Sequence, residues 1–115
     1  MDASIRPRPG VLAEVDRIRQ AGIRVAALTN NWTPFGSDPL TRHFDVVVES
    51  VVEGTRKPER RIYEICLERL ALTSERCVMF DDLGPNLKTA KQLGITTVKV
   101  TAPEDVIAAV RQHFP

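Results

Sequence analysis

Four short apolar segments alternate with helical patterns along the chain, and this alternation is the feature that most constrains the fold. The predicted strands cover residues 23–29, 44–50, 77–80 and 95–100. Apolar residues at helical spacing predict helices at 11–22, from 58 to about 70, from about 85 to 93, and after the capping-box pattern that begins at Thr101. Strands that alternate with helices at this pitch predict an α/β, Rossmann-like fold, in which helices cover both faces of a parallel sheet.

Residues with strong positional preferences support these boundaries. Gly22 and Gly94 follow apolar-periodic segments and predict helix ends. Pro58 suits the first turn of a helix, and Thr101–Glu104 has the spacing of a capping box. The segment 30–39 is rich in Asn, Pro, Gly and Ser and predicts a loop. We therefore expect residues 1–115 to form a single domain without linkers or repeats.

Composition excludes several classes of protein. The 115 residues are 43% hydrophobic and 27% charged, with a formal net charge of +1, so no basic field for nucleic acid is present. The densest basic run, Arg56–Arg61, is interpreted as a solvated helix start. No apolar run approaches the roughly 18 residues that a membrane span needs, and the first ten residues contain no apolar segment of a secretory signal.

Cysteine usage points to a reducing compartment. Cys66 and Cys77 are far apart in the sequence and form no CxxC motif. A disulfide framework or a zinc site is therefore not expected, and both thiols are interpreted as reduced and buried. Together with the missing signal segment, this pattern predicts a cytoplasmic protein.

Polar clusters follow three of the predicted strands. Thr29-Asn30 follows the first strand, Lys57-Pro58 comes after the second, and Asp81-Asp82 follows the third. Ligands of open parallel sheets bind beyond the carboxyl ends of the strands, so we expect these clusters to converge there. Asn86 lies about one helical turn beyond Asp82 and could face the same site.

The residue types in these clusters suit phosphate and magnesium. Carboxylate oxygens are preferred ligands of Mg²⁺, which keeps several waters and phosphate oxygens in its shell. A lysine binds phosphate as a point charge, and a hydroxyl with backbone N–H groups completes the cradle. Each residue also has a simpler interpretation: Thr29 ends a strand, Lys57 is solvated, or an aspartate caps the next helix. Trp32 and Phe35 either line the mouth of the site or pack locally, while His43 and His113 have no visible partner.

Three motifs in this order resemble the haloacid dehalogenase-like (HAD) hydrolases. They are "VAALTNN" at 25–31, "GTRKPERRIYEICLERL" at 54–70 and "VMFDDLGPNLKTAKQLGITTVKV" at 78–100. The resemblance extends from about Pro9 to Thr101. It is strongest to the phosphatase lobes of bifunctional soluble epoxide hydrolases and to HAD lobes of acyl-CoA dehydrogenase-related proteins. Receiver domains of two-component systems use similar residues in a different order, so that alternative would need a permutation.

The resemblance implies roles for six residues in a Mg²⁺-dependent phosphatase acting on small phosphate esters. Thr29 and Asn30 would bind the phosphoryl group, and Lys57 would neutralise it, with Thr29 and Lys57 as catalytic residues. Asp82 would ligate Mg²⁺ directly. Asp81 and Asn86 would act through metal-bound water.

One motif of these hydrolases is absent, namely the D-x-D that supplies the attacking aspartate and the general acid. The early acids are Asp2, Glu14 and Asp16, of which the last two lie on a predicted helix. The expected architecture is thus a partial HAD core without its first strand and cap. Such a core would be inactive alone and marginally stable or self-associated, unless an N-terminal segment completes it. The alternative is a non-catalytic module that binds phosphate or a partner.

Overall fold

The fold is described by a computed structural model, which describes residues 9–115. Asp2 lies outside these residues, as does most of the N-terminal segment in which the sequence predicts no secretory signal. The helices of this part are α1 (Pro9–Gln20), α2 (Ser50–Glu53), α3 (Arg60–Leu70), α4 (Gly84–Gln92) and α5 (Pro103–His113). The strands are β1 (Ala26–Thr29), β2 (Val46–Glu49), β3 (Val78–Asp81) and β4 (Thr96–Lys99). Short 3₁₀ helices lie at Pro39–His43 and Ser74–Arg76. The alternation expected from the sequence is confirmed.

The core forms around α3, whose apolar stripe was visible in the sequence. Ile62, Ile65, Cys66 and Leu70 are buried on it, and they pack with Val48 of β2 and with Ala90 and Ile95 in the α4–β4 region. The helix ends at Ala71, which adopts the left-handed conformation at φ 58°. Burial of this stripe places the N-terminus of α3, and with it the Lys57-Pro58 segment, against the sheet edges.

Parallel pairing produces two small sheets among the described residues. β1 pairs with β2, with Ala26 opposite Val46, and β3 pairs with β4, with Val78 opposite Thr96. β1 is shorter than predicted because the N–H of Val25 donates to the Asp45 carboxylate at 2.7 Å. That side chain therefore takes the place of a ladder partner just before the strand begins.

The two sheets do not join through β1 and β3 within residues 9–115. The apolar sequence of β3 is typical of a strand buried on both sides, yet Val78, Met79 and Phe80 are only half-buried. A cleft of about 540 Å³ lies between the sheets, and Leu28 and Met79 are among its lining residues. The α/β Rossmann-like class is confirmed, whereas a single continuous sheet is not observed in this part of the chain. Marginal stability and self-association stay predictions.

The start of α5 differs slightly from the predicted capping pattern. The capping interaction of α5 uses Asp105 instead of the expected Glu104: its Oδ2 accepts from the Thr101 hydroxyl at 2.7 Å and from the Ala102 N–H at 3.0 Å. The prediction was therefore wrong by one residue, because the helix begins one position later than the predicted capping box implies.

Among residues 9–115, no helix is long and apolar enough to cross a bilayer.

Candidate functional site

The site is built where β1 and β3 end and the chain turns into α3 and α4. Thr29 is the last residue of β1 and is buried, and Asp81 is the last residue of β3 and is also buried. Lys57 lies in the segment between α2 and α3, after Gly54 ends α2 at φ 72°. The ends of β1 and β3 and the segment before α3 therefore lie together, which brings Asn30, Lys57 and Asp81 into contact.

A buried ion pair is the centre of this site. The Lys57 ammonium lies 3.0 Å from Oδ2 of Asp81, and the two side chains are 2% and 1% exposed. Transfer of both charges from water is costly, so such a pair persists only where further hydrogen bonds satisfy its remaining donors and acceptors. The environment of Asp81 supplies some of these bonds.

Asp81 is held by groups of the chain that follows it. Its Oδ1 accepts from the Leu83 N–H at 3.0 Å, and Oδ2 also accepts from Nδ2 of Asn86 at 3.3 Å. Burial by itself raises the pKa of Asp81, but the Lys57 ammonium and the Leu83 N–H favour the carboxylate, and the pKa lies below its ordinary value. Asp81 therefore remains ionised at neutral pH. Neither it nor Asp82 caps α4, whose N-cap is Leu83.

Asn30 contacts the main chain of Lys57 with both ends of its amide. Nδ2 donates to the Lys57 carbonyl at 3.0 Å, and Oδ1 accepts from the Lys57 N–H at 2.9 Å. These bonds join the end of β1 to the start of α3. The sequence predicted that the two residues would be neighbours, but it gave no sign of this double contact.

The backbone of α4 is fixed by a buried hydroxyl of α3. Tyr63 is 1% exposed, and its hydroxyl donates to the Asn86 carbonyl at 2.7 Å. Burial and the nearby Asp81 charge raise the pKa of Tyr63 to about 12, so the hydroxyl keeps its proton. The hydroxyl of Thr89 donates to the Pro58 carbonyl at 2.8 Å. The sequence analysis did not identify Tyr63 or Thr89, because either residue within a helical pattern is ordinarily interpreted as part of the helix alone.

The predicted residues are thus joined to different degrees. Contacts connect Asn30, Lys57, Asp81 and Asn86 in a chain. Thr29 is buried beside Asn30, and Asp82 is half-buried beside Asp81. Within residues 9–115, no group of three His, Cys, Asp or Glu side chains is arranged to hold a metal ion. The oxygen donors of Asp81, Asp82 and Asn86 are nevertheless the type that Mg²⁺ prefers.

An open pocket of about 600 Å³ adjoins Asn30, and its lining includes Trp32, Arg56 and Leu83. Trp32 is 88% exposed, so of the two predicted interpretations it lines the mouth. The N–H of Phe35 donates to Glu49, which fixes the loop after β1. Lys57 and Asp81 themselves line the cleft of about 540 Å³ between the sheets, so this pocket lies next to the ion pair without including it.

The remaining predicted features lie away from the site. Nδ1 of His43 lies 3.0 Å from the Asp16 carboxylate, and His113 packs edge-on against Phe80. Both cysteines are free; Cys66 is buried, which raises the pKa of its thiol to about 11, while Cys77 is only half-buried. The histidines thus have structural partners that the sequence did not reveal.

Comparison with known proteins identifies the family to which the chain belongs. The model of the haloacid dehalogenase-like hydrolases matches residues 2–94. The chain belongs to this family. Acyl-CoA dehydrogenase family member 10 of Mus musculus is 45% identical to it over 86% of the chain, and bifunctional epoxide hydrolase 2 of Mus musculus is 33% identical over 81%. The matched regions amount to 10% and 18% of those proteins, so the HAD chain spans a small part of their length.

Solved HAD structures have the same fold. CbbY from Rhodobacter sphaeroides, in complex with phosphate, superposes with a TM-score of 0.69 at 29% identity and covers 83% of this chain and 46% of that one. A HAD family enzyme from Bacteroides thetaiotaomicron, in complex with magnesium and inorganic phosphate, gives 0.69 at 22% identity and covers 79% and 52%. The resemblance inferred from the three motifs is confirmed.

Proposed function

We propose that the chain is the phosphate- and magnesium-binding part of a HAD phosphatase that hydrolyses small phosphate esters through an aspartyl-phosphate. The observation that carries the proposal is the buried Lys57–Asp81 pair at the ends of the strands. A lysine fixed in this way presents a preorganised positive charge, which stabilises a phosphoryl group without rearrangement. The phosphate bound by CbbY and the magnesium and phosphate bound by the Bacteroides enzyme support this assignment.

The phosphoryl group would be bound by Thr29, by the Asn30 region and by Lys57. Thr29 contributes a hydroxyl that donates to a phosphate oxygen, and Lys57 contributes charge. The pocket beside Asn30 would take the rest of the ester, with Trp32 at its mouth. All of these groups act by binding and orienting the ester.

Magnesium would be held by Asp82, with Asp81 and Asn86 behind it. Asp81 already accepts from Lys57, Leu83 and Asn86, so it suits a role through metal-bound water, whereas Asp82 is the direct ligand. When bound, Mg²⁺ neutralises charge on the phosphoryl oxygens. One direct carboxylate predicts weak binding of the metal.

Turnover by this chain alone is not expected, because no D-x-D motif occurs in the sequence. The test is hydrolysis of an aryl phosphate with millimolar Mg²⁺, together with calorimetric titration of inorganic phosphate. We expect phosphate binding without hydrolysis. Binding should be weakened strongly, but measurably, in Lys57→Met and kept in the matched variant Lys91→Met, whose lysine is exposed. Turnover that Asp82→Asn abolishes would contradict the claim of inactivity, and binding that ignores Lys57 would contradict the site.

The same missing motif favours a second function, that of a non-catalytic module that binds phosphate or a partner. A strand peptide ending in Asp-x-Asp, added to the chain with Mg²⁺, would distinguish the two. Restored hydrolysis supports the phosphatase assignment. Phosphate binding that never leads to hydrolysis supports the module.

A further inference from the structure

The contact between Asn30 and Lys57 is a two-bond ring between residues 27 positions apart in sequence. An asparagine amide offers an N–H donor and a carbonyl acceptor in one plane, and a peptide offers the complementary C=O and N–H. Here both bonds form at 3.0 and 2.9 Å, so the amide contacts Lys57 as a neighbouring strand would. The polar atoms of this side chain are thus directed at protein.

The segment around Lys57 has other attachments, but they hold its neighbours. Oε1 of Glu59 accepts from the Thr55 hydroxyl at 2.8 Å and from the Arg56 N–H at 3.0 Å. Thr89 donates to the Pro58 carbonyl at 2.8 Å. Among the hydrogen bonds of residues 9–115, those that hold the N–H and C=O of Lys57 itself come from Asn30. Loss of the Asn30 amide would therefore release the Lys57 main chain while the residues on either side remain attached.

Both ends of Lys57 are consequently fixed. Asn30 holds its main chain, and Asp81 holds its ammonium group at 3.0 Å with 2% of the side chain exposed. A lysine has a flexible four-carbon stem, and a small displacement of its base moves the charge relative to a bound oxygen. Fixing the main chain in advance removes part of the entropy cost of holding the ammonium group in place.

We infer that Asn30 is a positioning residue, whose side chain acts on phosphate through Lys57 and does not contact the phosphate itself. This inference rests on the proposed phosphate site and deepens it. It reassigns the side chain that the sequence placed among the direct phosphate ligands.

A double-mutant cycle on inorganic phosphate binding tests the inference. The variants are Asn30→Ala, Lys57→Met and the double variant, each checked for folding by circular dichroism. We expect Asn30→Ala to weaken binding about tenfold, the equivalent of one hydrogen bond. The double variant should bind no more weakly than Lys57→Met alone, because Asn30 has no effect once the ammonium is gone. Losses that multiply in the double variant would show direct contact and overturn the inference.

Amide hydrogen exchange of Lys57 tests, without any phosphate, whether the Asn30 side chain holds the Lys57 main chain. Its N–H should lose protection in Asn30→Ala and retain it in Asn30→Asp, which keeps an acceptor oxygen. Thr89→Val is the matched control, since it removes a hydrogen bond from the same segment at Pro58. It should leave Lys57 protected and phosphate affinity within about twofold.

These measurements separate two kinds of failure. The first is that the unmodified chain binds no phosphate while the Lys57 N–H still loses protection in Asn30→Ala. The contact between Asn30 and Lys57 is then correct, but the proposed phosphate function fails, together with the role of Asn30 in it. The second is that phosphate binds but the Lys57 N–H is equally protected in Asn30→Ala. The positioning role of Asn30 is then wrong, and the phosphate site stands.

Discussion

Two ion pairs of this chain differ in nearly every physical respect. Lys57 and Asp81 are 2% and 1% exposed and share further hydrogen bonds, whereas Arg61 and Glu68 on α3 are 59% and 64% exposed. The buried pair pays a large desolvation cost, and apolar residues of equal volume often stabilise a protein as well or better. The exposed pair is screened by water and contributes about 0–1 kcal/mol. Stability alone therefore does not explain the buried pair, whereas the proposed phosphate site gives it a role.

The largest effect is expected when one partner of the buried pair is removed. Lys57→Met leaves the Asp81 carboxylate buried without its ammonium partner, which costs about 3–5 kcal/mol. That loss is a large share of the roughly 5–15 kcal/mol by which a domain is stable. Urea unfolding followed by circular dichroism measures it. The double variant Lys57→Met/Asp81→Leu removes both charges and should recover much of the loss. A single variant as stable as the unmodified chain would contradict the comparison.

A smaller loss is expected at the hydroxyl that supports the same site. Tyr63→Phe leaves the buried Asn86 carbonyl without its 2.7 Å hydrogen bond, at a cost of about 1–3 kcal/mol. Thr33→Val also removes a hydroxyl, but at an exposed position, and should change stability by less than about 0.5 kcal/mol. The two variants are compared by their urea midpoints. Equal midpoints would mean that burial does not control the energy of this network.

The buried network also shows where prediction from sequence ends. Thr29, Lys57 and Asp81 could be found because strand ends are visible as apolar runs followed by polar residues, and parallel strands bring their ends together. The Asn30–Lys57 ring could not, because it joins residues 27 positions apart and depends on loop geometry. The hydroxyl of Tyr63 was hidden in the same way, since an aromatic residue on a buried helix face ordinarily signals only packing.

Sheet pairing shows a similar limit. The sequence located the segments of β1 and β3, but the start of β1 depended on a side chain, since Asp45 accepts from the N–H of Val25 and shortens β1. Local apolar pattern carries no information on such a contact. The two sheets are separate within residues 9–115, and only the family resemblance, not the local apolar pattern, led us to expect a gap between β1 and β3.

The Arg19–Asp45 ion pair is intermediate in exposure between the two pairs above, and the Asp45 carboxylate allows a test by pH. The Val25 N–H and then the Arg19 guanidinium favour its carboxylate, so its pKa lies below the ordinary value. A lowered pKa means stability that is fully present above the unfolded value, about 3.9, and is lost as pH falls through the folded value. The advantage of the unmodified chain over Asp45→Asn should therefore be constant near neutrality and shrink below about pH 4. A pH series of thermal unfolding measures this advantage.

The two partners of Asp45 can be separated by a further variant. Arg19→Gln removes the guanidinium, whose Nη2 lies 3.0 Å from Oδ1, and leaves the 2.7 Å bond from Val25. The pH dependence should be reduced in this variant but should persist. Complete loss of it would assign the effect to the ion pair alone.

The smallest effect belongs to the exposed pair. Arg61→Gln and Glu68→Gln remove a 3.3 Å contact between long side chains that lose rotamer freedom when they meet. Each variant should change stability by less than about 0.5 kcal/mol. A double-mutant cycle at low and at 0.5 M salt isolates the pair energy, which should decrease toward zero as salt screens the charges. A coupling above about 1 kcal/mol that persists at high salt would mean that exposure is not what separates this pair from Lys57–Asp81, and the functional argument drawn from the buried pair would lose its basis.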